Sequence, residues 1–268
     1  MKISANVLVL NEHDNIKGLI NNLVDANVDE IIVLDGGSTD GTFEYLMAQE
    51  MTLKSLKVFR WPQKLNTEYK AGFQEKERRN FMMSVSSSDY ILYIDADERI
   101  DVNFKEKLTY DRDIYAVTLI HFWNKRIRVN MKNDLVWSPE SQYRIVRRDC
   151  GIKYKSNDVN GLHNFLSKHG IKIFNNYSYS RIRRCIAPWI NKLNNIVVGK
   201  TDIKIYHMHY YDIKNSLGKK NDLRAADFKR ADKLVHNSIG GGRFDYHTDF
   251  ICCVRECEEE EKLILKYR

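Results

Sequence analysis

The run Tyr90-Ile91-Leu92-Tyr93-Ile94 stops abruptly at Asp95-Ala96-Asp97-Glu98, and this junction constrains the chain more than any other stretch. Apolar and aromatic residues bounded by polar ones predict a strand buried on both faces, as in a parallel sheet. Ligands of open α/β sheets lie just beyond the carboxyl ends of such strands. Asp95 and Asp97 are two apart, so an extended chain points both carboxylates the same way. Two carboxylates there make a hard oxygen site for Mg²⁺ or Mn²⁺, with positions left open for a phosphate. Asp-x-Asp is a common pair, and a strand followed by a solvated polar turn explains it as well when it stands alone.

The upstream chain supplies its context. Ile3–Leu10 reads as a first strand, followed by the polar loop Asn11-Glu12-His13-Asp14-Asn15. Asp14 or Asn15 is expected to cap a helix over Ile16–Ala26, whose stripe is Ile16, Leu19, Ile20, Leu23 and Val24. Ile31–Leu34 is a second strand ending at Asp35. Gly36-Gly37-Ser38 then turns into a helix over Thr42–Ala48, capped by Ser38, Thr39 or Asp40. Leu56–Phe59 is a third strand, and Phe73–Ser86 a helix carrying Arg78, Arg79 and Asn80. The β-α-β-α-β order predicts a parallel sheet with right-handed crossovers. Three strand ends thus bring Asn11-Glu12, Asp35 and Asp95-Ala96-Asp97 to one sheet edge. One of Arg78 and Arg79 is expected on a solvated helix face.

Past residue 100 the pattern loosens. Ala116–Trp123, Gln142–Arg147, Lys172–Phe174 and Lys200–His209 read as strands, Phe104–Leu108 as a short helix, and the chain from Ile213 as helical. Pro62, Pro139 and Pro188 are expected in loops. Arg181-Ile182-Arg183-Arg184 reads first as a solvated basic face. With Trp189 and Ile190 nearby, the second reading is peripheral contact with a membrane or an anionic acceptor. The net charge of +7 favours acidic partners. Five cysteines and an N-terminus leading straight into a strand suggest reduced thiols in a cytoplasmic setting.

VLVLNEHDN, IIVLDGGSTDGT, RRN and YILYIDADERI together resemble the family 2 glycosyltransferases, close in style to bacterial and viral enzymes with DxGSTDGT and DADE motifs. The resemblance covers about residues 1–110. QYRIVRRDCGIKY followed by GLHN extends it more loosely. It implies an α/β GT-A fold over 1–212, with a nucleotide-sugar half at 1–110, an acceptor half at 111–212 and a C-terminal helical extension at 213–268. It also implies inverting, metal-dependent sugar transfer from a nucleoside diphosphate sugar, UDP favoured, to a hydroxyl of a glycan.

By this resemblance Glu12 and Asp35, with Asn11 beside them, contact base and ribose. Asp97 and Asp95 bind Mn²⁺ or Mg²⁺ and the donor, and Arg79 reaches the diphosphate. His207, with His209 in reserve, is a further metal ligand, and His163 borders the acceptor pocket. The residue after His163 is Asn164 where the relatives carry an acid, so Asp158 and Glu140 are the candidate bases. A haloacid-dehalogenase-like phosphotransferase also uses Asp-x-Asp, but after its first strand. A non-catalytic nucleic-acid or anion binder fits the charge but lacks any recognition motif, so no nucleic acid partner is expected.

Overall fold

The computed structural model describes residues 1–62, 74–123, 126–128, 140–156, 164–173, 181–210, 254–255, 262–263 and 265–267. The chain divides into two units, one of Met1–Thr118, Ser141–Ile205 and Tyr267–Arg268, the other of Leu119–Glu140 and Tyr206–Lys266.

The first unit is built on parallel strands. β1 (Ile3–Val9) leads through α1 (His13–Asp25) to β2 (Glu30–Asp35), and α2 (Thr42–Glu50) leads to β3 (Leu56–Arg60). α3 (Glu75–Val85) precedes β4 (Tyr90–Tyr93). β1 pairs in parallel with both β2 and β4, and β2 with β3, so β1 and β2 lie inside the sheet. Every residue of β2 and β4 is buried, as two-sided coverage requires. β5 (Glu98–Ile100) follows a turn, and β6 (Ile114–Trp123) begins in this unit. β7 (Arg126–Arg128) belongs to the second unit, where it pairs with Phe122 and Trp123 of β6. β8 (Glu140–Arg147) joins β4 antiparallel, with Leu92 opposite Ile145. β9 (Ile152–Ser156), β10 (Asn164–Lys168) and β11 (Ile171–Lys172) form a small antiparallel sheet. α4 (Arg181–Leu193) precedes β12 (Val198–Tyr210), which pairs with β5 and β6. In the second unit β13 (Val254–Arg255) pairs with β7.

α3 joins two cores. Met82 packs with Ile32 and Leu34, while Met83 packs with Ile91, Val146 and Ile152. On α1 the expected stripe is buried at Ile16, Leu19, Ile20 and Leu23, but Val24 is exposed, one step past the buried arc.

Several expectations need correction. α1 starts at His13, ahead of the expected cap, because Asp40 from the next loop accepts the His13 N–H at 3.1 Å. The Phe104–Leu108 helix is a 3-10 turn over Phe104–Lys107. Pro188 lies inside α4, not in a loop. Pro139, residues 63–73 and the stretch 211–253, which holds most of the expected C-terminal extension, fall outside the described residues.

Candidate active site

The carboxyl ends of β1 and β2 are stitched together by the polar residues of Ser38-Thr39-Asp40-Gly41-Thr42. Ser38 Oγ accepts the Asn11 N–H at 2.9 Å, and Asn11 Oδ1 accepts the Thr39 N–H at 2.8 Å. Thr42 Oγ1 accepts the Glu12 N–H at 3.0 Å. Asp40 takes the first N–H of α1 through Oδ2 and that of α2, at 3.0 Å, through Oδ1, so one carboxylate caps two helices. Burial works against its charge, but the Thr42 hydroxyl and these N–H groups hold its pKa below the ordinary value. Asn11 adopts φ 55, a left-handed conformation that Asn tolerates better than most residues.

Asp35 is closed to solvent at 0% exposure. Its Oδ2 accepts the N–H groups of Gly37 at 2.8 Å and Ser38 at 3.0 Å, and Arg60 Nε lies 3.5 Å away. Gly37 sits at φ 95, where a Cβ would be strained. In this conformation the Asp35 carboxylate therefore holds the turn. Glu12 is also buried, with Oε2 accepting from Asn15 Nδ2 at 2.8 Å, whereas Asn11 is exposed.

Asp95-Ala96-Asp97-Glu98 is a tight turn and not the extended segment expected. β4 ends at Tyr93, and residues 95 and 98 bond reciprocally. The Asp95 N–H donates to Glu98 Oε2 at 2.9 Å, and the Glu98 N–H donates to Asp95 O at 3.0 Å. Strand alternation therefore does not set the directions of Asp95 and Asp97. Asp97 is buried, and its charge together with that of Glu12 supports Arg99, whose pKa burial lowers to about 10. Asp95 is 41% exposed.

Two guanidinium groups converge on Asp95. Arg79 Nη2 lies 3.6 Å from Oδ1, and Arg144 Nη1 lies 3.7 Å from Oδ2. The side chains of Arg79 and Arg144 are only 11% and 12% exposed. Arg79 is held by Glu75 at 2.6 Å and stands over the Tyr93 and Tyr154 rings. Arg144 donates to Glu98 at 2.7 Å and to Gln142 at 3.0 Å. Burial raises the Tyr154 hydroxyl to about 12 against the pull of both arginines, so it stays a neutral phenol at neutral pH. Arg78 is buried too, so neither arginine of the pair is the solvated one expected. Arg78 donates to Trp61 O at 2.8 Å, and its Nε has no hydrogen-bond partner among the described residues.

A divalent cation fits this donor set. The Asp95 ion pairs exceed hydrogen-bond length, so its oxygens keep acceptor capacity. Among the described residues no three His, Cys, Asp or Glu side chains gather. Mg²⁺ and Mn²⁺ suit this arrangement, being commonly held by one or two carboxylates plus substrate phosphates.

Asn11, Glu12, Asp35, Arg79, Asp95 and Asp97 all belong to the first unit, at the ends of β1, β2 and β4 or on α3. His207 belongs to the second unit. Asp158 and His163 lie outside the described residues, as do the side chains of Glu140 and His209. Arg144 was missed by the motif reading. The signal was the alternating QYRIVR strand, but only the pairing of Leu92 with Ile145 brings residue 144 level with the end of β4.

The class defined by this fold and edge is an α/β protein with a polar crevice at the carboxyl ends of its parallel strands. Residues 4–111, which carry the crevice loops, match the family model for glycosyl transferase family 2, and this match supports a glycosyltransferase. No curated protein matches the chain. Similar solved structures include S. aureus TarS 1–349 in complex with UDP, at 20% identity over 56% of this chain and 48% of that one, TM-score 0.41. The mannosyltransferase PcManGT from Pyrobaculum calidifontis in complex with GDP-Man and Mn²⁺ is 18% identical over 45% of this chain and 36% of that one, TM-score 0.35. GalNAc-T7 with UDP, GalNAc and Mn²⁺ is 12% identical over 77% and 44%, TM-score 0.45. The chain spans about half the length of these structures or less.

Proposed function

We propose that the chain is a metal-dependent, inverting glycosyltransferase that moves a sugar from a nucleoside diphosphate, UDP favoured, to a hydroxyl of a glycan. One observation carries this reading: a half-open carboxylate, Asp95, flanked by two nearly buried arginines, with Asp95 and Arg79 inside the segment matched by the family model and Arg144 brought up from β8 beyond it.

The donor's diphosphate approaches Asp95 and meets Arg79 and Arg144, whose planar forks suit phosphate oxygens. Their burial means they are already oriented before the ligand arrives. Asp95, with Asp97 two residues on, would hold the divalent cation, which would neutralise the charge that develops on the leaving diphosphate. Asn11 is the exposed contact for the nucleoside, while Glu12 and Asp35 hold the loops that present it. Asp158 or Glu140 acts as base on the acceptor hydroxyl.

Thermal unfolding against UDP, GDP and their sugars, with and without Mn²⁺, tests the reading. A ligand at one hundred times its Kd stabilises the native state by about 2.7 kcal/mol. A rise in midpoint with one nucleotide, dependent on Mn²⁺ and lost in Asp95→Ala, is expected. Asp95 is the better probe because it is exposed, whereas replacing buried Asp97 also perturbs Arg99. No rise with any nucleotide at millimolar concentration overturns the proposal.

A further inference from the structure

α4 presents its apolar residues outward. A surface helix normally turns its apolar stripe to the core and its polar face to water. Over Cys185–Leu193 of α4, where side chains are described, the buried positions are Ala187 and Asn191, one small and one polar. Trp189 is 68% exposed and Leu193 67%, and Ile186 is exposed as well. Positions 186, 189 and 193 share one helix face, and the exposed Val197 follows one turn's length beyond. Contiguous exposed apolar side chains of this size mark a surface that something covers.

The charge of the segment that carries the stripe points to what covers it. Residues 159–201 hold seven Lys and Arg and no Asp or Glu, which equals the net charge of +7 on the whole chain. α4 itself has four basic residues and no acidic one. A second copy docking through the same face would set this basic segment against itself, since a two-fold interface pairs a patch with its own image. An anionic bilayer surface offers both an apolar layer for the stripe and negative charge for the basic residues. Tryptophan is favoured at that boundary. α4 has 13 residues and is thus about 20 Å long, and among the described residues no helix is long and apolar enough to cross a membrane.

We propose that α4 docks the chain flat on an anionic phospholipid surface through Ile186, Trp189 and Leu193. This stands whether or not the sugar-transfer reading holds.

Flotation of the full chain with phosphatidylcholine vesicles, with and without phosphatidylglycerol, tests it, alongside sedimentation velocity without lipid. Binding to the anionic vesicles alone, weakened by salt, is expected. The double variant Trp189→Gln/Leu193→Gln should bind them about tenfold more weakly or worse. Its thermal midpoint should match the parent's, because both side chains already face water. Absence of binding to anionic vesicles, or unchanged binding by the double variant, overturns the proposal. Self-association that the double variant abolishes, with no vesicle binding, overturns it in favour of a second copy.

Discussion

Arg79 and Arg144 reach Asp95 from α3 and β8, and each has a second anchor that fixes its direction. For Arg144 that anchor is Glu98, an almost fully buried carboxylate. Removing one partner of a buried pair commonly costs 3–5 kcal/mol, because the other charge is left uncompensated. Arg144→Ala is therefore expected to lower the unfolding free energy by roughly 3 kcal/mol, read by urea denaturation. Arg144→Lys separates stability from binding. Lysine keeps the charge but brings one nitrogen where arginine brings a fork. The variant should remain folded and, on the proposed function, bind the nucleotide about tenfold more weakly in titration calorimetry. Equal affinity would remove Arg144 from the diphosphate site.

At the scale of elements, two asparagines do the work of missing strands. Asn22 on α1 bonds both backbone groups of Ile100, at 3.0 and 2.8 Å, next to the Asp95–Glu98 turn. Asn80 on α3 does the same to Tyr154, at 2.9 and 2.8 Å. β2 carries a carboxylate at each end, and the two differ in purpose. Asp35 holds the turn at the site, whereas Glu30 at the other end is bonded by Ser4, Lys57 and Ser87. Burial alone would raise the Glu30 carboxyl, but these donors outweigh it and bring it from 4.5 to about 2. A carboxylate depressed on folding stabilises fully above its unfolded pKa, and that contribution fades as pH falls through the folded one. Glu30→Gln should therefore cost about 1–2 kcal/mol at pH 7, screening at half-exposed Lys57 keeping the figure modest. The gap to the parent should close between pH 4.5 and about 2, as chemical denaturation at several pH values would show.

The same scale explains what the sequence revealed. β1 to β4 and their helices were legible because each is a short apolar run or a stripe, bounded by turn residues. The glycine-rich loop was legible as a turn with a cap. That Asp40 caps two helices was not, since His13 and Asp40 meet only once β1 and β2 pair. The extended reading of Asp95–Asp97 failed because Asp95 and Glu98 close a turn on each other, and Arg144, which braces Glu98, arrives from a strand far along the chain. The basic and aromatic residues of Arg181–Ile190 stood out in the sequence, but their helical state did not, because Pro188 reads as a break and Ile186, Trp189 and Leu193 do not face the core.

At the scale of the whole molecule, residues from both ends of the sequence meet in the first unit. Arg99 is fully buried and donates to the carbonyls of Asn15 at 3.0 Å, Ala96 at 3.0 Å, Glu98 at 2.7 Å and Tyr267 at 3.0 Å. The Tyr267 hydroxyl donates to Asp25 at 2.7 Å, so this tyrosine lies along α1. Gly18 makes the approach possible, since a Cβ there would overlap the Tyr267 carbonyl and come within 2.6 Å of Arg99 Nη2. Gly18→Ala sets two effects in opposition. Helix propensity gains about 1 kcal/mol, while overpacking against backbone costs about 1–3 kcal/mol. Sterics should win, lowering the midpoint by a few degrees, as a thermal unfolding scan of the variant against the parent would show.

Among the described residues the hydrogen bonds that Arg99 donates all go to main-chain oxygens, so those bonds do not depend on which side chains the acceptors carry, while the carboxylates of Asp97 and Glu12 support its charge. Asn15, Ala96, Glu98 and Tyr267 can each be exchanged in a mutational library without removing an acceptor from it. Arg99 itself has no such latitude, because lysine could not span four carbonyls. A saturation scan should therefore show Arg99 intolerant, its four acceptors tolerant on this account, and Asp97 and Glu12 sensitive because their carboxylates offset the burial of its charge.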